Sequence, residues 1–214
     1  MVKRLVAVAV ACAVIAVIGV LAFAEPGASS GEVRLTRQTD GSMVLADRSS
    51  QAPVLDLYED FDCPVCKQMH DAVDGMLQRL AREGKVKIVF HPVTIFRAEP
   101  MRSNSIRAAA AARCVPADNW LAFRDQLYAM QPAPHGVASG FTVEELAGAA
   151  RKAGAVVDEC IRSQAYAKAH LEQTAKAGIR GTPTVLLDGR MLGNEVFDAA
   201  ALERAITGGD GVVV

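Results

Sequence analysis

The feature that most constrains this chain is a Cys-Pro-Val-Cys motif at residues 63–66, which lies between an extended apolar run and an amphipathic pattern. Residues 54–58 predict a strand before the motif, and apolar side chains recur at helical spacing over residues 69–80 after it. Cys63 would then start a helix, with Pro64 in the first turn, where the missing proline N–H removes no intrahelical bond. The motif therefore predicts a strand, a turn and a helix around a surface dithiol.

This placement predicts redox chemistry. Disulfide exchange needs a thiolate rather than a thiol, and the N-terminus of a helix lowers a thiol pKa. The backbone N–H groups of Val65 and Cys66 would point toward the Cys63 sulfur, with the positive end of the helix dipole behind them. Cys66, one turn further on, could attack a mixed disulfide and resolve it. Cys63 is therefore predicted to be the reactive cysteine and Cys66 the resolving one.

Half of a zinc site and an inert cysteine pair are the alternative interpretations of the motif. Zinc needs four ligands, usually including a second Cys or His pair. The nearest candidate ligand is His70, and no second Cys-x-x-Cys motif follows. We therefore expect no metal and no other cofactor, and we interpret His70 and His91 as structural histidines.

The N-terminus predicts export. Lys3 and Arg4 precede residues 5–24, which carry no charge, and Ala-Phe-Ala at residues 22–24 fits a signal-peptide cleavage site. The run is longer than the apolar part of a signal peptide, about 7–15 residues, and reaches the about 20 residues of a membrane anchor. Both interpretations stay open, and in both the remainder of the chain is exported. The net charge of -1 gives no reason to expect a nucleic-acid partner.

Export changes the interpretation of the five cysteines. Cys12 lies in the apolar run and is interpreted as an apolar filler. The even number that remains suggests two disulfides in an oxidising compartment. The motif supplies one local pair, which leaves Cys114 with Cys160 as a structural disulfide. Two separate buried thiols are the alternative.

The predicted elements alternate between strands and helices, with a long helical block near the middle. Two strands joined through the motif's helix predict a parallel pair with a right-handed crossover. In chain order the predictions are short strands at 33–35 and 43–45, a strand at 54–59, the motif's helix, a strand at 86–91, helices over 97–177 of which the last runs from 157 to 177, a strand at 184–187 and a final helix at 199–206.

This layout resembles the DsbA-like branch of the thioredoxin superfamily. The resemblance is carried by residues 61–66 after a strand, by the helical block, and by Gly-Thr-Pro-Thr at residues 181–184 before the last hairpin. It extends over about residues 42–207. It implies an α/β protein with a thioredoxin-like fold and an inserted helical subdomain.

The resemblance also implies a domain organisation. Residues 1–24 would be the signal peptide or membrane anchor, and residues 25–41 a linker with an N-terminal strand. Residues 42–96 and 178–208 would form the thioredoxin-like domain. The inserted subdomain, residues 97–177, would line a substrate groove beside the dithiol.

In that family the proline that matches Pro183 is cis and faces the sulfurs of the motif. Proline offers no N–H, so the backbone of Thr182 would remain available to an extended substrate strand. Thr182 and Pro183 are therefore expected to bind substrate.

The chain departs from the family in two places. The family often has a buried acid six positions before the first cysteine, where this chain has Leu57, so Glu59 or Asp60 would have to replace it from another direction. Strongly oxidising members often have Pro-His between the cysteines, where this chain has Pro64 and Val65.

The expected function is that of an exported thiol–disulfide oxidoreductase of the bacterial cell envelope or periplasm. It would form disulfides in secreted or envelope proteins through a mixed disulfide on Cys63. Its partners would be folding exported proteins with free cysteines and a membrane partner that reoxidises the dithiol. A reductase or isomerase of the same fold, or a non-catalytic binding or chaperone module, is the alternative.

Overall fold

The computed structural model describes residues 33–47 and 51–208. The expected signal peptide or anchor at residues 1–24 lies outside these ranges. Within them, no helix is both long enough and apolar enough to cross a membrane.

A six-stranded mixed sheet forms the centre of the fold, with the strands in the order β1-β2-β4-β3-β5-β6. Strands β3 and β4 are parallel, and every other neighbouring pair is antiparallel. The first strand pairs with the second, so the strand expected in the N-terminal segment belongs to this sheet. The strands are β1 (Val33–Arg37), β2 (Met43–Asp47), β3 (Val54–Glu59), β4 (Lys87–Pro92), β5 (Thr184–Leu187) and β6 (Arg190–Met191).

Helix α1 (Pro64–Arg82) connects the two parallel strands, as the sequence predicts. Its apolar residues recur every three or four positions, and this spacing buries Met69, Val73 and Leu77 on one face. The chain then turns through Gly84, whose φ of 67° is readily adopted by glycine.

Five helices lie between β4 and β5 and form the predicted insertion: α2 (Met101–Cys114), α3 (Ala117–Ala129), α4 (Val143–Lys152), α5 (Asp158–Arg162) and α6 (Ala167–Ala177). The prediction of one helix from residue 157 to residue 177 was wrong. Gln164 adopts a φ of 49°, which no α-helix accommodates. The side chains of Ser163 and Gln164 donate to carbonyl groups at the end of α5 and so replace helical hydrogen bonds there. Helix α7 (Ala199–Thr207) follows the sheet.

Cys114 and Cys160 form a disulfide with a Cα–Cα distance of 5.9 Å. The bond joins the end of α2 to α5. A bond that closes a loop of this size stabilises a fold by about 2–4 kcal/mol. The insertion also packs on the sheet, since the rings of Trp120 and Phe90 lie 5.3 Å apart and both side chains are buried.

Candidate active site

The dithiol lies where the central strand β3 ends and helix α1 begins. Cys63 is the N-cap residue of α1, in an extended conformation, and Pro64 occupies the first turn. The Cys63 backbone N–H donates to the Asp60 carbonyl at 3.0 Å, which closes the turn after the strand. Cys63 and Cys66 are both free cysteines. The strand, the turn and the helix are therefore arranged as the motif predicts.

The prediction of a surface dithiol was wrong. Only 4% of Cys63 and none of Cys66 is exposed, whereas Val65 between them is 42% exposed. Gln131 from the insertion closes over the turn, since its side-chain amide donates to the carbonyls of Phe61 and Cys63. Of the two sulfur-bearing residues, Cys63 is the more accessible to a reacting sulfur.

The two sulfurs have opposite electrostatic environments. The pKa of Cys63 is lowered to about 6, chiefly because its sulfur accepts a hydrogen bond from the Cys66 thiol, with further help from the N–H groups of Cys66 and Val65. The pKa of Cys66 is raised well above that of an ordinary thiol, first by burial and then by the neighbouring Cys63. At neutral pH Cys63 is thus the thiolate and Cys66 holds a proton.

The loop before β5 lies against the reactive sulfur. The Thr182–Pro183 peptide bond is cis. In its thiol form Cys63 donates to the Thr182 carbonyl at 3.5 Å. The structure therefore brings together the two segments on which the family resemblance is based, although 119 positions separate the bonded residues.

Asp60 supplies a buried acid beside Cys66. Its backbone N–H lies 3.5 Å from the Cys66 sulfur, and its carboxylate accepts from the backbone N–H groups of Asp62 and Ile95. Burial is the main reason that the pKa of Asp60 rises to about 7. The carboxylate can therefore gain or lose a proton near neutral pH.

Asp62 is a second buried acid, which the sequence analysis missed. One carboxylate oxygen lies 3.4 Å from the Asn104 side-chain amide, and the other has no hydrogen-bond partner among the described residues. Burial raises its pKa to about 6. The signal in the sequence is its position immediately before Cys63.

Leu57, which replaces the family's usual acid, is buried and apolar. Glu59 does not take over that role, because it is committed to an ion pair. Both of its carboxylate oxygens accept from Arg124, at 2.8 and 3.1 Å from Nε, and one also accepts from the Tyr128 hydroxyl at 2.8 Å. Glu59 faces the core because side chains alternate along β3, as buried Leu55 and Leu57 do.

Arg124 is fully buried and links the insertion to the sheet and to α1. Besides Glu59 it contacts Asp74 and, at 2.9 Å, His70 Nδ1. Donor atoms of His70, Asp74 and Asp125 lie within 4.8 Å of one another, which would suit a metal ion. The guanidinium already supplies the positive charge there, so these residues do not fit a metal site.

His91, the other histidine interpreted as structural, is held on the sheet by Asp56 at 2.8 Å.

A family model described as thioredoxin matches residues 40–207. Among solved structures, the reduced disulfide bond oxidoreductase DsbG of Mycobacterium tuberculosis is 28% identical, with a TM-score of 0.69, and the match covers 85% of this chain and 86% of that one. Reduced DsbA of M. tuberculosis is 27% identical, with a TM-score of 0.65 and coverage of 85% and 91%.

The same fold occurs in proteins of lower sequence identity. MdbA of Corynebacterium diphtheriae, a thiol-disulfide oxidoreductase, is 22% identical, with a TM-score of 0.67 and coverage of 82% of this chain and 96% of that one. No curated protein sequence matches this chain.

Proposed function

Because this chain belongs to the thioredoxin family and is a thiol–disulfide oxidoreductase of the DsbA-like kind, we propose that its Cys63–Cys66 dithiol forms disulfides in exported proteins. The fold is the thioredoxin-like fold with a helical insertion. The observation that carries the proposal is the pair of opposite pKa shifts, which make Cys63 a thiolate while Cys66 stays protonated.

The oxidised enzyme would carry a disulfide between Cys63 and Cys66. A client thiolate attacks the Cys63 sulfur, the bond to Cys66 breaks, and its electron pair leaves with Cys66 as a thiolate that takes up a proton. A second client thiolate then attacks the client sulfur of the mixed disulfide and releases Cys63 as a thiolate. The client loses two electrons and two protons, and the enzyme gains the two electrons.

The low pKa of Cys63 favours this direction. A cysteine of low pKa is a good leaving group, and stabilising it as a thiolate stabilises the reduced enzyme, which makes the disulfide a stronger oxidant. Hydrogen bonds from Cys66 and from the start of α1 supply that stabilisation here, in place of the histidine that strongly oxidising relatives carry between the cysteines.

The cis-proline loop would bind the client. The Thr182 carbonyl lies 3.5 Å from the Cys63 sulfur. Pro183 has no N–H that could bind this sulfur in place of the client. An extended client segment could pair with the backbone at this loop while its own sulfur reaches Cys63.

We further propose that the enzyme works outside the cytosol. The apolar run at residues 5–24 supports export or anchoring, and the Cys114–Cys160 disulfide suits an oxidising compartment. Its clients would be folding exported proteins with free cysteines. A membrane partner that accepts two electrons would restore the Cys63–Cys66 disulfide.

The decisive test traps the mixed disulfide. The Cys66→Ala variant of the full chain is first oxidised at Cys63 to a mixed disulfide with glutathione. A client thiolate can then displace glutathione, so the variant should form covalent complexes with cysteine-containing proteins of the cell envelope, visible on non-reducing gels and dispersed by reductant. The matched Cys63→Ser variant should form none. If both variants form the same complexes, Cys63 does not carry the mixed disulfide.

Equilibration with glutathione then tests the direction. The proposal expects the dithiol to be mostly reduced in a buffer that keeps ordinary structural disulfides oxidised. A dithiol that stays oxidised there would indicate a reductase instead.

A further inference from the structure

An open groove of about 580 Å³ lies between the segment that follows β4 and the segment that leads to the cis-proline loop. Its walls are formed by residues 94–97 on one side and by residues 174–180, at the end of α6 and just beyond it, on the other. A volume of this size falls in the range of pockets that take ligands, roughly 300–1,000 Å³.

Each wall of the groove is connected to residues that contact the dithiol. On one wall, the Ile95 N–H donates to the carboxylate of Asp60, whose own N–H contacts the Cys66 sulfur. On the other wall, Arg180 precedes Thr182 by two residues, and the Thr182 carbonyl contacts Cys63. A client held at Cys63 could therefore reach this groove with the chain on one side of its cysteine.

The groove carries positive charge that no other described residue neutralises. Arg97 and Arg180 line it, both are exposed, and neither side chain forms a hydrogen bond or ion pair within the described ranges. The residues that line the groove include no aspartate and no glutamate. The nearby Glu99 accepts a hydrogen bond from the Ser103 backbone.

Apolar side chains supply the remainder of the wall. Phe96 and Ile179 are each partly exposed in the groove. The Phe96 ring lies 5.5 Å from that of His135 in the loop between α3 and α4. The groove thus combines exposed apolar surface with two cations that have no partner among the described residues.

We propose that this groove binds the client segment that flanks the reacting cysteine, and that it selects clients with acidic residues there. This inference rests on the proposed oxidation of client proteins. A strand extends by about 3.3 Å per residue, and alternate side chains face the same way. An aspartate or glutamate about two to four positions from the reacting cysteine would therefore face Arg180 or Arg97.

The test compares three dithiol peptides that differ only at the residues two and four positions from one cysteine, which are aspartate, asparagine or lysine. The full oxidised chain is mixed with each peptide, and each rate is divided by the rate with the small uncharged dithiol dithiothreitol. Surface charge pairs contribute modestly and act mainly on association, so we expect the aspartate peptide to react about threefold to tenfold faster than the asparagine peptide. The advantage should largely vanish between about 0.01 M and about 0.15 M salt, as the screening length shortens.

Variants assign the effect to the groove. Arg97→Gln combined with Arg180→Gln should abolish the preference, and Arg97→Glu combined with Arg180→Glu should reverse it in favour of the lysine peptide. The matched control is Arg190→Gln combined with Arg204→Gln, which removes the same charge from exposed positions on β6 and α7. This control should keep the wild-type preference.

The outcomes separate the two proposals. Equal rates for the three peptides, with dithiothreitol oxidised normally, would overturn the role of the groove and leave the proposed function standing. The same preference in the glutamate variant as in the wild type would also overturn it. A wild-type chain that oxidises neither dithiothreitol nor any peptide would overturn both.

Discussion

The backbone nitrogen of Asp60 lies 3.5 Å from the sulfur of Cys66, and burial raises the pKa of the carboxyl on the same residue to about 7. Asp60 comes three positions before Cys63, on the turn after β3, whereas the family's usual acid lies further back on the strand itself. The Asp60 carboxyl also interacts electrostatically with Cys63. We therefore hypothesise that Asp60 takes the proton from Cys66 when that thiol attacks a mixed disulfide.

Replacing Asp60 with asparagine should slow this resolving step. Asparagine cannot accept the proton, and a positioned general base contributes about 10²–10⁴-fold to the rate in typical enzymes. Because other bases can partly replace Asp60, we expect the rate of the resolving step to fall by about 10- to 100-fold. The measurement is the release rate of a small mixed disulfide preloaded on Cys63. In the wild type the rate should rise through pH 7, and in Asp60→Asn that step should be missing. Asp71→Asn, on the exposed face of α1, is the control.

The same substitution should change the pH dependence of stability. The pKa of Asp60 is raised in the folded state, so its contribution to the unfolding free energy is fully present below about pH 4 and is lost as pH rises through about 7. The Asp60→Asn variant has no carboxyl group to ionise at this position, so this loss of stability with rising pH should be absent from it. The difference in unfolding free energy between variant and wild type should therefore shift in the variant's favour from pH 4 to pH 8. The shift should be up to about 4 kcal/mol, or about 1.4 kcal/mol for each of about three pKa units, measured by denaturant unfolding of the reduced protein. A constant difference across this range would show that Asp60 is ionised throughout.

Cys63 should react with iodoacetamide as a thiolate well below neutral pH, with a midpoint near 6. Because the hydrogen bond from Cys66 is the largest cause of the low pKa, Cys66→Ala should move the midpoint up toward that of a free thiol, about 8.5. Mass spectrometry of the alkylated reduced chain would assign each modification. Equal reactivity of both cysteines at pH 7 would contradict the opposite pKa shifts.

Removing the charge of Arg124 should be among the most destabilising single changes. Arg124→Met leaves Glu59 and Asp74 as buried carboxylates without their partner, which typically costs about 3–5 kcal/mol. Adding Glu59→Gln should restore part of the loss. Arg162→Met is the control, since its pair with Glu144 is exposed and screened by solvent and should contribute little to the unfolding free energy. Chemical denaturation of all four proteins would compare these values.

Changing both Cys114 and Cys160 to alanine should lower the unfolding free energy by about 2–4 kcal/mol. The alkylation midpoint of Cys63 should stay near 6, because none of the groups that lower its pKa belongs to this disulfide. A shift in that midpoint would instead indicate that the disulfide positions the active site.

The order of strands and helices could be predicted because each of these elements has a local signal. The apolar run before Cys63 predicts β3, and the spacing of Met69, Val73 and Leu77 predicts α1. The break at Gln164 could not be predicted in this way, because the residues around it are compatible with a helix until tertiary packing imposes the turn.

The buried charges could not be predicted from local patterns. A glutamate at the end of a strand and an arginine on a helix are ordinarily exposed. Glu59 and Arg124 are buried only because the fold brings them together, and they are 65 positions apart in the chain. The cover over the dithiol was missed for the same reason, since Gln131 reaches the turn from the insertion.

Arg124 also limits how this protein can be simplified. Excising the inserted helices to obtain a minimal redox core would remove the only guanidinium that contacts Glu59 in the described residues and leave that carboxylate stranded in an apolar interior. Grafting the Cys-Pro-Val-Cys turn onto another scaffold would meet the same difficulty unless a neutral residue replaced Glu59. The part of the fold that carries the dithiol and the inserted helices that cover it therefore have to be kept together in any engineered version.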